Sequence, residues 1–198
     1  MESATSGADE IAASRDRERA RLTSRVAITV ALLATFLGVC KVKDDNIVQA
    51  MQQAQADKLD HWNFYQARNI RQEVAAAAEA QLKLAAVAAP PAQQEDYRVA
   101  IASYEALVID QAKKKEELRL QAEQDQKTYD ALNYRDDQFD LSDAATSVSI
   151  ATLAVTALTK KKWLLWMSLT LGVVGVVMGV AGLAGLKIHP DWLTKLLS

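Results

Sequence analysis

Trp163-Leu164-Leu165-Trp166 opens an uncharged run, WLLWMSLTLGVVGVVMGVAGLAGL, that fills residues 163–186. As a helix it measures ~36 Å, longer than the ~30 Å hydrocarbon core of a bilayer. Trp163 and Trp166 stand together at one end, where indoles favour the membrane–water interface. The run therefore reads as a transmembrane helix. Before it come Lys160, Lys161 and Lys162, a tight turn, and before those a weaker run at 141–159, rich in Ala, Thr and Ser. That run is long enough to span but only modestly hydrophobic, so it is expected to insert as a hairpin with its stronger neighbour.

A third apolar run lies near the other end of the chain. Residues 26–40 carry no charge and reach roughly 25 Å with Val42, while Arg25, Lys41 and Lys43 can snorkel to make up the length. Leu37-Gly38-Val39-Cys40 is similar to a lipoprotein cleavage box, but Val39 sits where a small residue is needed, so an uncleaved anchor is expected. Arg15, Arg17, Arg19, Arg21 and Arg25 precede the first span and the triple lysine joins the other two. Positive flanks stay on the cytoplasmic side, which puts 44–140 and the C-terminus across the membrane, in the periplasm of a bacterial cell.

The remaining stretch explains why the whole chain, 198 residues with a net charge of -2, averages to a hydropathy near zero. Between the first and second spans the sequence is polar and rich in Ala, Gln, Glu and Lys, and it contains neither Gly nor Pro except at Pro90-Pro91. That pattern predicts two long helices and one turn. In the second arm Tyr97, Ile101, Tyr104, Val108, Gln111, Lys115, Leu118, Ala122, Asp125, Tyr129 and Leu132 alternate in steps of four and three, the seam of a left-handed coiled coil. Gln111, Lys115 and Asp125 weaken that seam or set its register. The first arm is less regular: Ile47, Met51, Leu59, Trp62, Tyr65, Ile70, Val74 and Leu84 drift across a face.

The expected fold is an all-α membrane protein, three transmembrane helices with a long extramembrane antiparallel helical hairpin between the first and second. Its segments are an Arg-rich tail (1–25), span one (26–43), hairpin (44–140), span two (141–159), turn (160–162), span three (163–186) and an interfacial amphipathic tail (187–198) that carries Trp192.

Candidate chemistry is sparse. A near-neutral balance of charge argues against nucleic acid, and one cysteine with two distant histidines argues against a thiolate or imidazole metal centre. No phosphate loop, nucleophile–base arrangement or Glu-x-x-His pair is evident, so neither enzyme activity nor a cofactor is expected. Asp44, Asp45, Asp136, Asp137, Asp140 and Asp143 gather at the foot of the hairpin, where a hard cation could sit, but Lys41, Lys43 and Arg135 can neutralise them. Asp140 or Ser142 could cap a new helix there. The interaction candidates are Trp62, Phe64 and Tyr65, the seam residues Tyr97, Tyr104 and Val108, and a stripe of small residues in the third span, Ser168, Gly172, Gly175, Gly179 and Gly182. Ser147, Ala151 and Ala154 in the second span are expected to match that stripe.

Four stretches together resemble a bacterial membrane-protein family catalogued as domain of unknown function 4337. They are Trp62-Asn63-Phe64-Tyr65-Gln66-Ala67 with Ile70, Asp136-Asp137-Gln138-Phe139-Asp140, Leu158-Thr159-Lys160-Lys161-Lys162-Trp163-Leu164, and His189-Pro190-Asp191-Trp192. The resemblance implies a helical inner-membrane protein with an extramembrane hairpin and supplies no activity. The functional expectation is a membrane-anchored scaffold that meets the lipid bilayer and self-assembles through its coiled-coil hairpin and the small-residue faces of its transmembrane helices; the alternative is an accessory subunit or adaptor docking on a larger inner-membrane complex.

Overall fold

The computed structural model describes residues 2–186, with their side chains from residue 13 onward. All of the regular structure among them is helical: α1 (Glu2–Val87), a 3-10 turn (Pro91–Gln93), α2 (Gln94–Thr159) and α3 (Lys162–Ala184). Each of the three long helices contains a stretch long and apolar enough to cross a membrane. The predicted interfacial tail, with Trp192, lies outside the described residues.

The breaks fall where backbone chemistry demands them. Pro90 and Pro91 lack the N–H that would extend α1, and Pro90 is extended. Helix α1 tightens as it ends, with Ala88 N bonded to Ala85 O and Ala89 N to Ala86 O. The Gln94 amide then donates to the carbonyls of Ala86 and Ala89, both at 3.0 Å, capping oxygens that a helix end leaves without partners. At the second break Lys160 takes φ 56°, a left-handed conformation that costs an ordinary residue roughly 1 kcal/mol. Gly185, at φ 66°, ends α3 without that strain. No helix begins at Asp140 or Ser142: α2 runs through both, because the residues around them include no Pro or Gly and the chain has no need to turn there.

The chain forms two compact units, one from Ala50–Ala131 and one from Met1–Gln49 with Leu132–Ser198. Within the first, α1 and α2 are joined by side-chain bonds from Lys58 Nζ to Gln126 Oε1 (2.7 Å) through to Arg68 Nη1 and Gln111 Oε1 (3.1 Å). The covered face of α1 there is Met51, Ala54, Lys58, His61, Tyr65, Arg68, Gln72 and Ala75, again in steps of three and four. This corrects the drifting face expected of the first arm. Met51 and Tyr65 belong to that covered seam and Ile47 is buried in the other unit, whereas Leu59, Ile70, Val74 and Leu84 point outward. The seam is hard to see in sequence because polar residues hold half of it.

The second unit packs the apolar portions of all three helices. Val26, Leu33 and Leu153 form a small buried cluster with Val30, Ile150, Leu165 and Val176 around it. The fully covered side chains, however, are mostly hydroxyls: Ser142, Thr146, Ser149, Thr156 and Ser168 are all at 0% exposure, while Leu32 is 67% exposed and Leu158 82%. That inversion suits lipid as solvent. Lipid tails are as apolar as leucine, so burying Leu gains little, and small or hydroxylated residues do better at helix contacts.

Candidate functional site

In the apolar unit the glycine stripe of α3 is occupied from within the chain. A Cβ on Gly175 would lie 2.9 Å from Thr146 N; one on Gly179 would lie 2.6 Å from Ser142 Oγ and 2.7 Å from the Phe36 ring. Gly172 faces Ser149 and Leu33, and Gly182 faces the Phe139 ring. Ser149 Oγ donates to Ser168 O at 2.7 Å, and Ser168 Oγ to Leu164 O at 2.8 Å. The matching face of α2 is thus Ser142, Thr146 and Ser149, continued by Leu153 and Thr156. Ser147, Ala151 and Ala154, expected in that role, are exposed. The available signal was the run of hydroxyls at seven-residue spacing, since in lipid a Ser or Thr gains most by facing another helix.

The end of α3 near Gly185 is closed by polar groups from α2. Arg135 Nη2 donates to Gly182 O at 2.9 Å, satisfying a carbonyl of the last turn, and Gln138 Nε2 donates to Leu186 O at 2.8 Å, just beyond the helix end. Arg135, expected to neutralise the aspartates, is engaged with α3. Of those aspartates, Asp44, Asp136 and Asp140 come together. Asp44 is 5% exposed and pairs with Lys41 at 2.8 Å, while Asp45 lies in the open, 3.8 Å from the same lysine. Burial, a hydrogen bond with Asp44 and the nearby charges of Asp140, Asp44 and Asp137 push the Asp136 carboxyl up to about 6. Burial and the charge of Asp44 also raise Asp140. Asp143 instead accepts a hydrogen bond from Ser147 Oγ. Among the described residues no three such groups are placed to hold a metal ion.

In the polar unit the seam's polar residues are bonded across it. His61 Nδ1 lies 2.6 Å from Asp125 Oδ2, and Lys115 Nζ donates to Asn69 Oδ1 at 2.9 Å while sitting 5.8 Å above the Tyr65 ring. With Arg68 on Gln111, each of the three polar seam positions of α2 finds a partner on α1. Sequence spacing identified Gln111, Lys115 and Asp125 but not those partners, because His61, Arg68 and Asn69 carry no apolar periodicity. Trp62 meets Tyr65 edge-on at 5.2 Å. Trp62 is 36% exposed and Phe64 60%. Tyr97 and Val108 are half-covered, and Tyr104 is 37% exposed.

At the opposite end of the apolar unit from Gly185, two basic segments meet. Lys160 Nζ donates to Thr23 Oγ1 at 2.6 Å and Lys162 pairs with Glu18 at 3.5 Å. Trp163 and Trp166 beside them are exposed.

No curated protein and no solved structure matches the chain. One family does: its match covers residues 22–185 and so takes in both units. The chain belongs to the family described as Domain of unknown function (DUF4337).

Proposed function

We propose that the protein is a membrane-anchored scaffold whose polar arms form an antiparallel coiled-coil hairpin outside the bilayer and assemble with copies of themselves. The observation that carries this reading is the outward face of α1. Leu59, Ile70, Val74 and Leu84 are 54%, 63%, 64% and 76% exposed on a helix whose other face is already taken by α2. At 100° per residue the four lie within about 80° of one another over ~38 Å of helix, sharing that face with Ala77 and with the polar residues Asn63, Gln66 and Gln81. A second helix laid along it would remove much of that area from water. The glycine stripe of α3 is spent inside the protomer, which supports a reading in which the arms rather than the spans self-associate.

Both basic segments stand at one end of the apolar unit, which supports a common cytoplasmic side for the N-terminus and the Lys160 turn. On that reading the hairpin and C-terminus face the periplasm across a bacterial inner membrane. The protein then has no catalytic task, and its partners are lipid and a second copy.

The full chain, expressed alone and extracted in mild detergent, should show the mass of a discrete multimer. L59S/I70S/L84S should reduce it to single protomers while leaving helicity unchanged. A wild-type chain that is already a lone protomer would overturn self-assembly and favour the accessory-subunit reading, in which the same stripe docks on a larger membrane complex.

A further inference from the structure

A groove in the apolar unit runs between α1 and α3, from the basic end toward the middle of the spans. It begins as a cleft of about 340 Å³ bounded by Arg21, Arg25, Lys162 and Trp166, with Glu18 at its rim. A second cleft of about 320 Å³ shares Arg25 and Trp166 and adds Leu169. A third, of about 190 Å³, shares Leu169 and is lined by Leu33, Gly172 and Val173. Charged groups are confined to the first two clefts, and the lining turns apolar below Arg25.

We propose that this groove holds an anionic phospholipid, its phosphate on Arg21 and Arg25 and one acyl chain along Leu169 and Gly172. The inference rests on α1 and α3 crossing the bilayer, and it goes beyond the scaffold reading by naming a ligand. Two features fit such an occupant. The first is charge. Glu18 is set against Lys162 at 3.5 Å, and among the described residues neither Arg21 nor Arg25 makes an ion pair, so two guanidinium forks, the donor geometry that suits phosphate, face the cleft. The second is length. From Lys162 to Val177 helix α3 rises ~22 Å, about half of a bilayer measured with its headgroups. An indole at the headgroup level, here Trp166, is the usual neighbour of such a site.

The test uses the full chain in phosphatidylcholine vesicles, with W62F, W163F and W192F leaving Trp166 as the single indole. One tenth or so of the lipid is replaced by acyl-brominated phosphatidylglycerol or, in parallel, by acyl-brominated phosphatidylcholine. Trp166 should be quenched by the anionic lipid at a mole fraction roughly 30-fold lower, the preference that two basic residues near a charged lipid supply at about 1 kcal/mol each. R25Q should remove most of that preference, R25K should restore it, and K161Q, which removes a charge outside the groove, should leave it unchanged. Equal quenching by the two lipids, or equal losses in R25Q and K161Q, would overturn the proposal. Relief of quenching by inorganic phosphate but not by chloride at matched ionic strength would assign the cleft to a soluble anion and also overturn it. Absence of quenching by either lipid would instead strike the membrane-span reading on which the site rests. Native mass spectrometry of the unsubstituted chain makes the same comparison without tryptophan replacements: phosphatidylglycerol should be retained in preference to phosphatidylcholine, and equal retention would count against the site.

Discussion

The two compact units pack their helices on the same four-and-three spacing and fill it with opposite chemistry. In the apolar unit the covered positions between α2 and α3 are Ser142, Thr146, Ser149 and Thr156 against Gly172, Gly175 and Gly179, and the exposed ones are Val and Leu. In the polar unit the covered positions mix Met51, Ala54, Ala75 and Ala122 with Lys58, His61, Arg68, Gln111 and Asp125. The difference teaches that spacing sets which residues meet, while the solvent sets what meeting is worth. In a solvent as apolar as lipid, burying Leu would gain little and close backbone approach would carry the contact. Water rewards every covered methyl, so a thin apolar seam suffices there and charged residues can be tolerated in it if each has a partner.

The strongest way to break this comparison is to fill the glycine contact. Gly179→Leu should cost about 3 kcal/mol or more, because its new side chain meets Ser142 and the Phe36 ring with no room to move. Gly38→Leu, whose Cβ meets open space, should leave the melting temperature in detergent where it was. Similar melting in the two variants would mean that close approach does not hold the apolar unit. The counterpart in the polar unit is Ala122→Leu. Ala122 is 1% exposed, so the larger side chain should force the arms apart at a cost of about 2 kcal/mol, read as a lower urea midpoint for the loss of helicity.

The foot of the arms allows a test by pH. The folded chain holds a proton on Asp136 up to about pH 6, whereas an unfolded aspartate loses it near 3.9. A proton bound more tightly in the folded state stabilises it. That contribution is full below the unfolded value and is lost as pH rises through about 6, so the melting temperature should climb when pH is lowered from 7 to 5. Asp136→Asn, which cannot ionise, should flatten the climb, and an unchanged slope in that variant would place the titration elsewhere. The smallest expected effect lies in the polar seam. His61→Ala and Asp125→Ala should each cost about 1 kcal/mol, and the double variant little more than either single one, as for one shared hydrogen bond. Strict additivity would mean that the pair does not act together.

Much of the architecture was legible in the sequence because it depends on local chemistry. The turns at Pro90 and Lys160 follow from a missing N–H and from a basic segment between two apolar runs, and the covered face from Tyr97 to Leu132, exposed Tyr104 apart, follows from spacing alone. The seam of the first arm was hidden because His61, Arg68 and Gln72 stand in it, and a search for apolar residues follows Leu59 and Ile70 to the outer face instead. The face of α2 that meets α3 was misplaced for a related reason: Ser147, Ala151 and Ala154 are as small as Ser142, Thr146 and Ser149, and size alone does not choose between them.

The amino-acid sequence alone established that the chain is helical, that it turns at Pro90 and at the triple lysine, and which stretches are apolar enough for a membrane, since each of these is set within a few residues by hydrogen bonding and transfer from water; it did not show that α2 runs unbroken through Asp140 and Ser142. Only the tertiary structure decided which side of each helix is covered, which polar side chains are paired across the arms, and that the basic end of the apolar unit opens into a groove. Those features require residues far apart in the chain to approach within a few ångströms, and a helix whose faces are alike in composition carries no local mark of the side its neighbour will take.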